Sequence, residues 1–109
     1  MYEKITKYAD IFSKDAASPA DRKKEIQSFI ADFSQSGYMN PDALQVMGER
    51  GWISRSVLKN DLPSMTAEDI CACFSAFIQQ ESFIEGIILD TIEKGILQEM
   101  LERLKEQDS

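Results

Sequence analysis

The chain contains no histidine. That removes the Ser-His-Asp and Cys-His pairs in which an imidazole activates a nucleophile, and it removes the commonest transition-metal side chain. The five glycines are dispersed, and neither G-x-G-x-x-G nor G-x-x-x-x-G-K-S/T occurs, so no phosphate-cradling loop is coded. Cysteine is scarce: Cys71-x-Cys73 is neither a C-x-x-C redox pair nor a zinc pair, and there is no second pair. On a helix, residues two apart point about 200° away from each other. Both thiols are read as small packing residues. No apolar run approaches the ~20 residues needed to span a bilayer. The N-terminal MYEKITKYADIF alternates charges and has no hydrophobic signal region, so the expectation is a cytoplasmic protein in a reducing compartment.

Positive charge is also short where it would matter. The net charge of the 109 residues is −7. It is unevenly placed: residues 1–59 carry nine Lys or Arg against eight Asp or Glu, whereas residues 60–109 carry three against eleven. Binding to nucleic acid or to an anionic membrane rests on Lys and Arg neutralising phosphates, so neither partner is expected. The plain reading of the acidic half is solubility. The sharper reading is a docking face for a basic partner.

What is present is helical periodicity in a chain the length of one domain, with 43% apolar and 28% charged residues. The densest patterning runs from Thr66 to Leu104. Thr66 with Asp69 makes an N-terminal capping box, and Ile70, Phe74, Phe77 and Ile78 follow at helical spacing, which predicts a helix over 66–80. Ser82 with Glu85 reads as a second box, opening a helix over 82–94 whose stripe is Ile84, Ile87, Ile88 and Ile92. Lys94-Gly95 reads as its basic last turn and left-handed cap. Ile96, Leu97, Met100, Leu101 and Leu104 give a third stripe over 96–106, fraying into Glu106 to Ser109.

Upstream, residues 2–14 predict a first helix with Ile5, Tyr8, Ile11 and Phe12 on one side, and the stretch 1–17 is placed at the periphery. A break at Ala16-Ala17 precedes Ser18-Pro19, a strong start signal. Ile26, Phe29, Ile30 and Phe33 then mark a second helix ended by Gly37. Asn40-Pro41 repeats the start signal before a short helix closed by Gly51, with Trp52 and Ile53 pinning its end. Residues 54–60 predict one or two further turns with Val57 and Leu58 buried, and 60–64 a loop that Pro63 keeps non-helical. Shifted by 44 residues, Glu49-Arg50-Gly51 lies on Glu93-Lys94-Gly95, which either a helix–Gly–helix duplication or the generic chemistry of helix ends explains.

Carboxylates are the one plentiful chemical group. Glu99, Glu102 and Glu106 share a helical face, best read as solvated; nothing resembles a calcium-binding loop. Glu85 is the most interesting acid, yet its capping box already explains it. No catalytic, cofactor or metal residues are assigned.

The segments IQSFIADFSQSGYM, RGWI, LPSMTAEDI and FIQQESFIEGIILDTIEKGILQEMLERL, over residues 26–104, resemble a family of small prokaryotic proteins known only as a domain of unknown function. That family shows an Arg-Phe-x-Glu-Gly segment, an apolar helix, a Gly and a closing Leu-rich helix. Phe83, Glu85, Gly86, Gly95, Leu101 and Leu104 match, and Trp52 matches an upstream aromatic. The family's Arg is Ser82 here and its preceding Arg is Gln79, so any activity or ion pair those arginines carry is missing. The resemblance implies an α-helical domain with no function to inherit.

The expectation is therefore a single all-α domain of five or six helices, bundled around 66–80 and 82–94. The function expected is that of a non-enzymatic protein-interaction or self-association module, such as a homodimer, with its contact surface at Phe83, Glu85, Gly86, Ile87, Ile96 and Met100. The competing expectation is a small-ligand binder or minor enzyme using Glu85 or Asp90 with Trp52 or Tyr38 lining a pocket. Gly86, read as mid-helix, is explained by a close helix–helix approach or by the near passage of a ligand or partner backbone.

Overall fold

The computed structural model describes residues 2–15 and 18–107, and no β-strand occurs among them. The chain winds around one helix, α6 (Ala67–Glu81). Every residue from Ile70 to Phe77 on it is buried, polar Ser75 included. A helix apolar on all sides has to sit inside the fold, and this one does. Its start is the capping box read from the sequence: Thr66 Oγ1 accepts from Asp69 N–H, and the Asp69 carboxylate accepts from Thr66 N–H, both at 3.1 Å. Ser75 is satisfied in place, donating to Cys71 O at 2.8 Å and accepting from Asn40 N–H at 2.9 Å.

Around α6 lie α1 (Glu3–Thr6), α2 (Tyr8–Ser13), α3 (Pro19–Gln35), α4 (Ala43–Arg50), α5 (Arg55–Asp61), α7 (Ile87–Glu93) and α8 (Ile96–Gln107). Lys7 keeps right-handed helical dihedrals, so α1 and α2 form one bent segment. On that count there are seven α-helices among the described residues, not five or six. The surplus arises because residues 55–61 form a complete helix, which passes into a 3-10 turn at Leu62–Ser64 where the loop was expected. Pro63 does stop the α-helix, since α5 ends at Asp61.

The N-terminal segment packs inward, burying Ile5, Tyr8, Ala9 and Phe12 in the common core. Phe29 stands edge-on to Tyr8 and Phe12, and Phe29 and Phe33 stand edge-on to Phe74 of α6. Such edge-to-face pairs add roughly 0.5–1.5 kcal/mol each beyond their buried area. The stripe on α8 is buried throughout: Ile96, Leu97, Met100, Leu101 and Leu104.

The helix ends follow the residues that code them in most places. Ser18 Oγ accepts from Asp21 N–H with Pro19 at the first helical position. Gly51 is left-handed at φ +74°, and Trp52 N–H reaches Met47 O while Gly51 N–H reaches Gly48 O. That is a Schellman closure. Gly95 is left-handed too, at φ +75°, so the 44-residue echo maps onto two helix closures. After Gly51, residues 52–54 intervene before α5, whereas α8 begins directly after Gly95. Trp52 is buried, but Ile53 is 55% exposed and Val57 is exposed, against expectation. Asn40 caps a turn by accepting from Asp42 N–H, and α4 starts only at Ala43. The predicted break at Ala16-Ala17 and the frayed Asp108-Ser109 lie outside the described residues. No described helix is long and apolar enough to cross a membrane.

Candidate functional site

The largest departure from the sequence reading falls at the segment that carries the family resemblance. No helix runs over 82–94. Ser82 follows the last residue of α6 and donates through Oγ to Gln79 O at 2.6 Å, so it finishes one helix instead of starting the next. Residues 82–86 form a turn, and α7 begins at Ile87 behind a left-handed Gly86 at φ +99°. The cap of α7 is Glu81. One of its carboxylate oxygens accepts from Gly86 N–H at 2.7 Å and the other from Ile88 N–H at 2.8 Å. A carboxylate at the N-terminus of a helix meets unsatisfied N–H groups and the positive end of the peptide dipoles. Two helix ends are thereby joined by one side chain, and the turn between them is fixed.

The consequence is that Phe83 and Ile84 point outward, 83% and 61% exposed. A Cβ added at Gly86 would meet nothing within 4 Å, so the glycine answers a positive φ and not a close approach.

Beside this turn lies a cleft of about 960 Å³. One wall comes from the end of α2 and from α3, with Lys14, Arg22, Lys23, Ile26 and Ile30. The other comes from the α6–α7 turn and α7, with Glu81, Glu85, Gly86, Leu89 and Glu93. Phe12 and Ile92 are buried at its base. Arg22 builds the first wall. Its guanidinium donates to Ile11 O and Lys14 O, pairs with Glu25 at 3.0 Å and lies over the Phe12 ring. Gln98 ties the base together, donating from Nε2 to Phe12 O and Ile92 O. Lys23 Nζ and the Glu85 carboxylate meet at 3.5 Å between the walls. Both side chains are more than half exposed, so the pair adds at most about 1 kcal/mol.

The residues singled out from sequence scatter. Phe83 is on the turn, Glu85 on the rim and Gly86 in the cleft wall. Ile87 is half-buried against the core. Ile96 and Met100 are core residues, because the stripe they belong to faces α6 and the N-terminal segment and not solvent. The ligand grouping does not assemble in the cleft. Asp90 pairs with Lys94 at 3.0 Å and Arg55 at 4.0 Å. Trp52 is buried and donates its indole N–H to Asp61 at 2.9 Å. Tyr38 packs at a tilt against Tyr2 with ring centroids 4.8 Å apart. None of these three lines the cleft. Cys71 and Cys73 are buried free thiols, and burial pushes them up to about 11 and about 12. Gln79, where the resembled family has Arg, donates to Asn40 O at 3.2 Å and links α6 to the connection before α4.

Sequence reasoning missed Glu81, Lys14 and the Ile26–Ile30 edge. A signal existed for Glu81: an acid in the last turn of a helix sits at the negative end of the dipole and is misplaced unless it acts elsewhere.

Fold and cleft together define a small all-α domain with an open, mixed-charge groove and an exposed, hydrogen-bonded apolar turn beside it. A family model described as a family of unknown function, DUF6508, matches residues 13–109, and the chain belongs to that family. No curated protein and no solved structure matches it.

Proposed function

We propose that the chain is a non-enzymatic protein-interaction module whose contact surface is the α6–α7 turn with the adjoining cleft. The observation that carries this reading is the outward placement of Phe83 and Ile84 on a turn that Glu81 holds rigid. Single exposed apolar residues are ordinary, but two large adjacent ones on a fixed turn, next to a groove edged by Ile26, Ile30 and Leu89, make a patch of the kind that anchors partners. Rigidity matters because an anchor already in place loses little conformational freedom on binding.

A small-ligand reading has less support. The cleft volume suits a ligand. Its main polar groups, however, are engaged within the chain: Arg22 with carbonyls and Glu25, Glu81 with two backbone N–H groups, Gln98 Nε2 with two carbonyls.

The test replaces Phe83 with the photoreactive benzoylphenylalanine in cells of the source organism. Irradiation is expected to give a discrete protein adduct that is absent when the same residue replaces Lys105 on the far end of α8. No adduct at position 83 overturns the reading.

A further inference from the structure

The reading of the α6–α7 turn as a contact surface leaves the occupant of the cleft open, and the charges on its two walls narrow the choice. Beyond Arg22, paired with Glu25, and Glu81, held by two backbone N–H groups, the α2–α3 wall carries Lys14 and Lys23 with Asp15, and the α7 wall carries Glu85 and Glu93 and no base. A partner of one charge sign would meet repulsion at one wall. A partner must instead present an acidic edge to α3, a basic edge to α7, and an apolar projection to the groove. This face itself carries an acidic edge, a basic edge and, bordering the acidic edge, an apolar projection. Phe83 and Ile84 precede Glu85 and Gly86 of the cleft wall, and at ~3.8 Å per residue the projection lies within about 11 Å of the groove it borders. A projection and a groove side by side, flanked by opposite charges, are self-complementary under a two-fold rotation, which is the condition for an isologous dimer.

Resting on that reading, we infer that the partner is a second copy of this chain, related by a two-fold axis. Phe83 and Ile84 of each copy enter the cleft of the other against Ile26, Ile30 and Leu89, and Lys23 of each faces Glu85 of the other. The Lys23–Glu85 pair within one chain is exposed and weak, so exchanging it for the pair between chains loses little.

The charge pair supplies a test that separates association from folding. In K23E, both contacts across the two-fold become Glu–Glu; in E85K, both become Lys–Lys. Each variant alone is expected to sediment closer to the 12.4 kDa monomer than the parent chain does at the same concentration, with an unchanged helical circular dichroism spectrum, since both sites are exposed. An equimolar mixture of the two restores opposite charges at both contacts and is expected to sediment as a heterodimer. The photo-adduct at position 83 is expected at twice the chain mass. A parent chain that stays monomeric, or a mixture that fails to recover the dimer, overturns the second copy as occupant. An adduct of any other mass also overturns it while leaving the interaction surface standing, and no adduct at all removes both.

Discussion

The Glu81 carboxylate accepts from Ile88 N–H at 2.8 Å across the turn that separates two helices, and from Gly86 N–H at 2.7 Å on the way. The sequence assigns this work to Ser82 and Glu85, one and four residues further along. The two assignments separate experimentally. Glu81→Ala removes both acceptors and is expected to destabilise the fold by about 1–2 kcal/mol, as loss of an N-terminal cap does. Glu81→Gln keeps one acceptor and loses about half as much. Ser82→Ala and Glu85→Ala change stability by less than about 0.5 kcal/mol, as exposed positions do. Urea unfolding of the four variants checks the order.

Gly86 offers a second check on the same turn. Its φ of +99° disfavours any L side chain, while the space around its Cβ position is open. Gly86→Ala is therefore expected to lose roughly 1–2 kcal/mol through backbone strain alone. A D-alanine placed there by semisynthesis fits the same dihedral without strain and stabilises by up to ~1 kcal/mol, because it restricts the unfolded chain. Were Gly86 a site of close helix approach, both enantiomers would destabilise.

Legibility from the sequence followed how local the governing interaction is. The start of α3 at Ser18-Pro19, the capping box of α6 and the closures at Gly51 and Gly95 each depend on residues within one turn, and each is where the pattern puts it. The α6–α7 turn was not legible. Its apolar run continues through Phe83 and Ile84 with helical spacing, and what breaks the helix is a side chain from the preceding helix reaching five and seven residues ahead. The cleft was invisible for a related reason: it joins α3 to α7, elements some sixty residues apart, and no local pattern announces that meeting. Ile96 and Met100 were read correctly as a stripe, but which element covers a stripe is a property of topology.

The Tyr8–Asp32 contact predicts how stability varies with pH. Tyr8 Oη donates to the Asp32 carboxylate at 2.5 Å, and Lys7 lies 3.3 Å from the same carboxylate. The Tyr8 hydrogen bond, with Lys7 and against partial desolvation, holds Asp32 below its ordinary 3.8. A depressed acid stabilises the fold above its unfolded value and loses that contribution as pH falls through the folded one, so stability declines below about pH 4. Tyr8 moves the other way. Burial first, then the Asp32 contact, raises it well above 10.0, and stability declines as pH rises past that value because only the unfolded chain releases the proton. Asp32→Asn is expected to flatten the acid limb and Tyr8→Phe the alkaline limb, read from thermal midpoints across pH.

Cys71 and Cys73 are expected to be silent in the native state. Burial pushes the thiols up to about 11 and about 12, leaving almost no thiolate near neutrality, and both are buried on α6, which is covered on all sides over Ile70–Phe77. Labelling by a disulfide reagent at pH 8 is expected to follow the global unfolding equilibrium, with a rate that rises with urea in step with loss of helix. Fast labelling of either thiol in the native protein would place α6 at the surface and contradict the core described above.

Charged substitutions at Phe83 and Met100 divide the candidate surface into its outer and inner parts. Both residues lie in the apolar pattern over 82–104, and from that pattern alone both serve equally as contacts. Their surroundings differ completely: Phe83 is 83% exposed and Met100 is fully buried among the core side chains. Met100→Asp places a carboxylate where neither water nor a partner reaches it and is expected to destabilise by more than about 4 kcal/mol, enough to abolish cooperative unfolding. Phe83→Asp, alone or with Ile84→Asp, leaves the thermal midpoint within a few degrees, because the ring contributes little buried area to the chain that carries it. Circular dichroism melts distinguish the two outcomes directly. If Phe83→Asp unfolded the protein, the turn would be packed against the core, and the fixed outward anchor that supports the interaction reading would not exist.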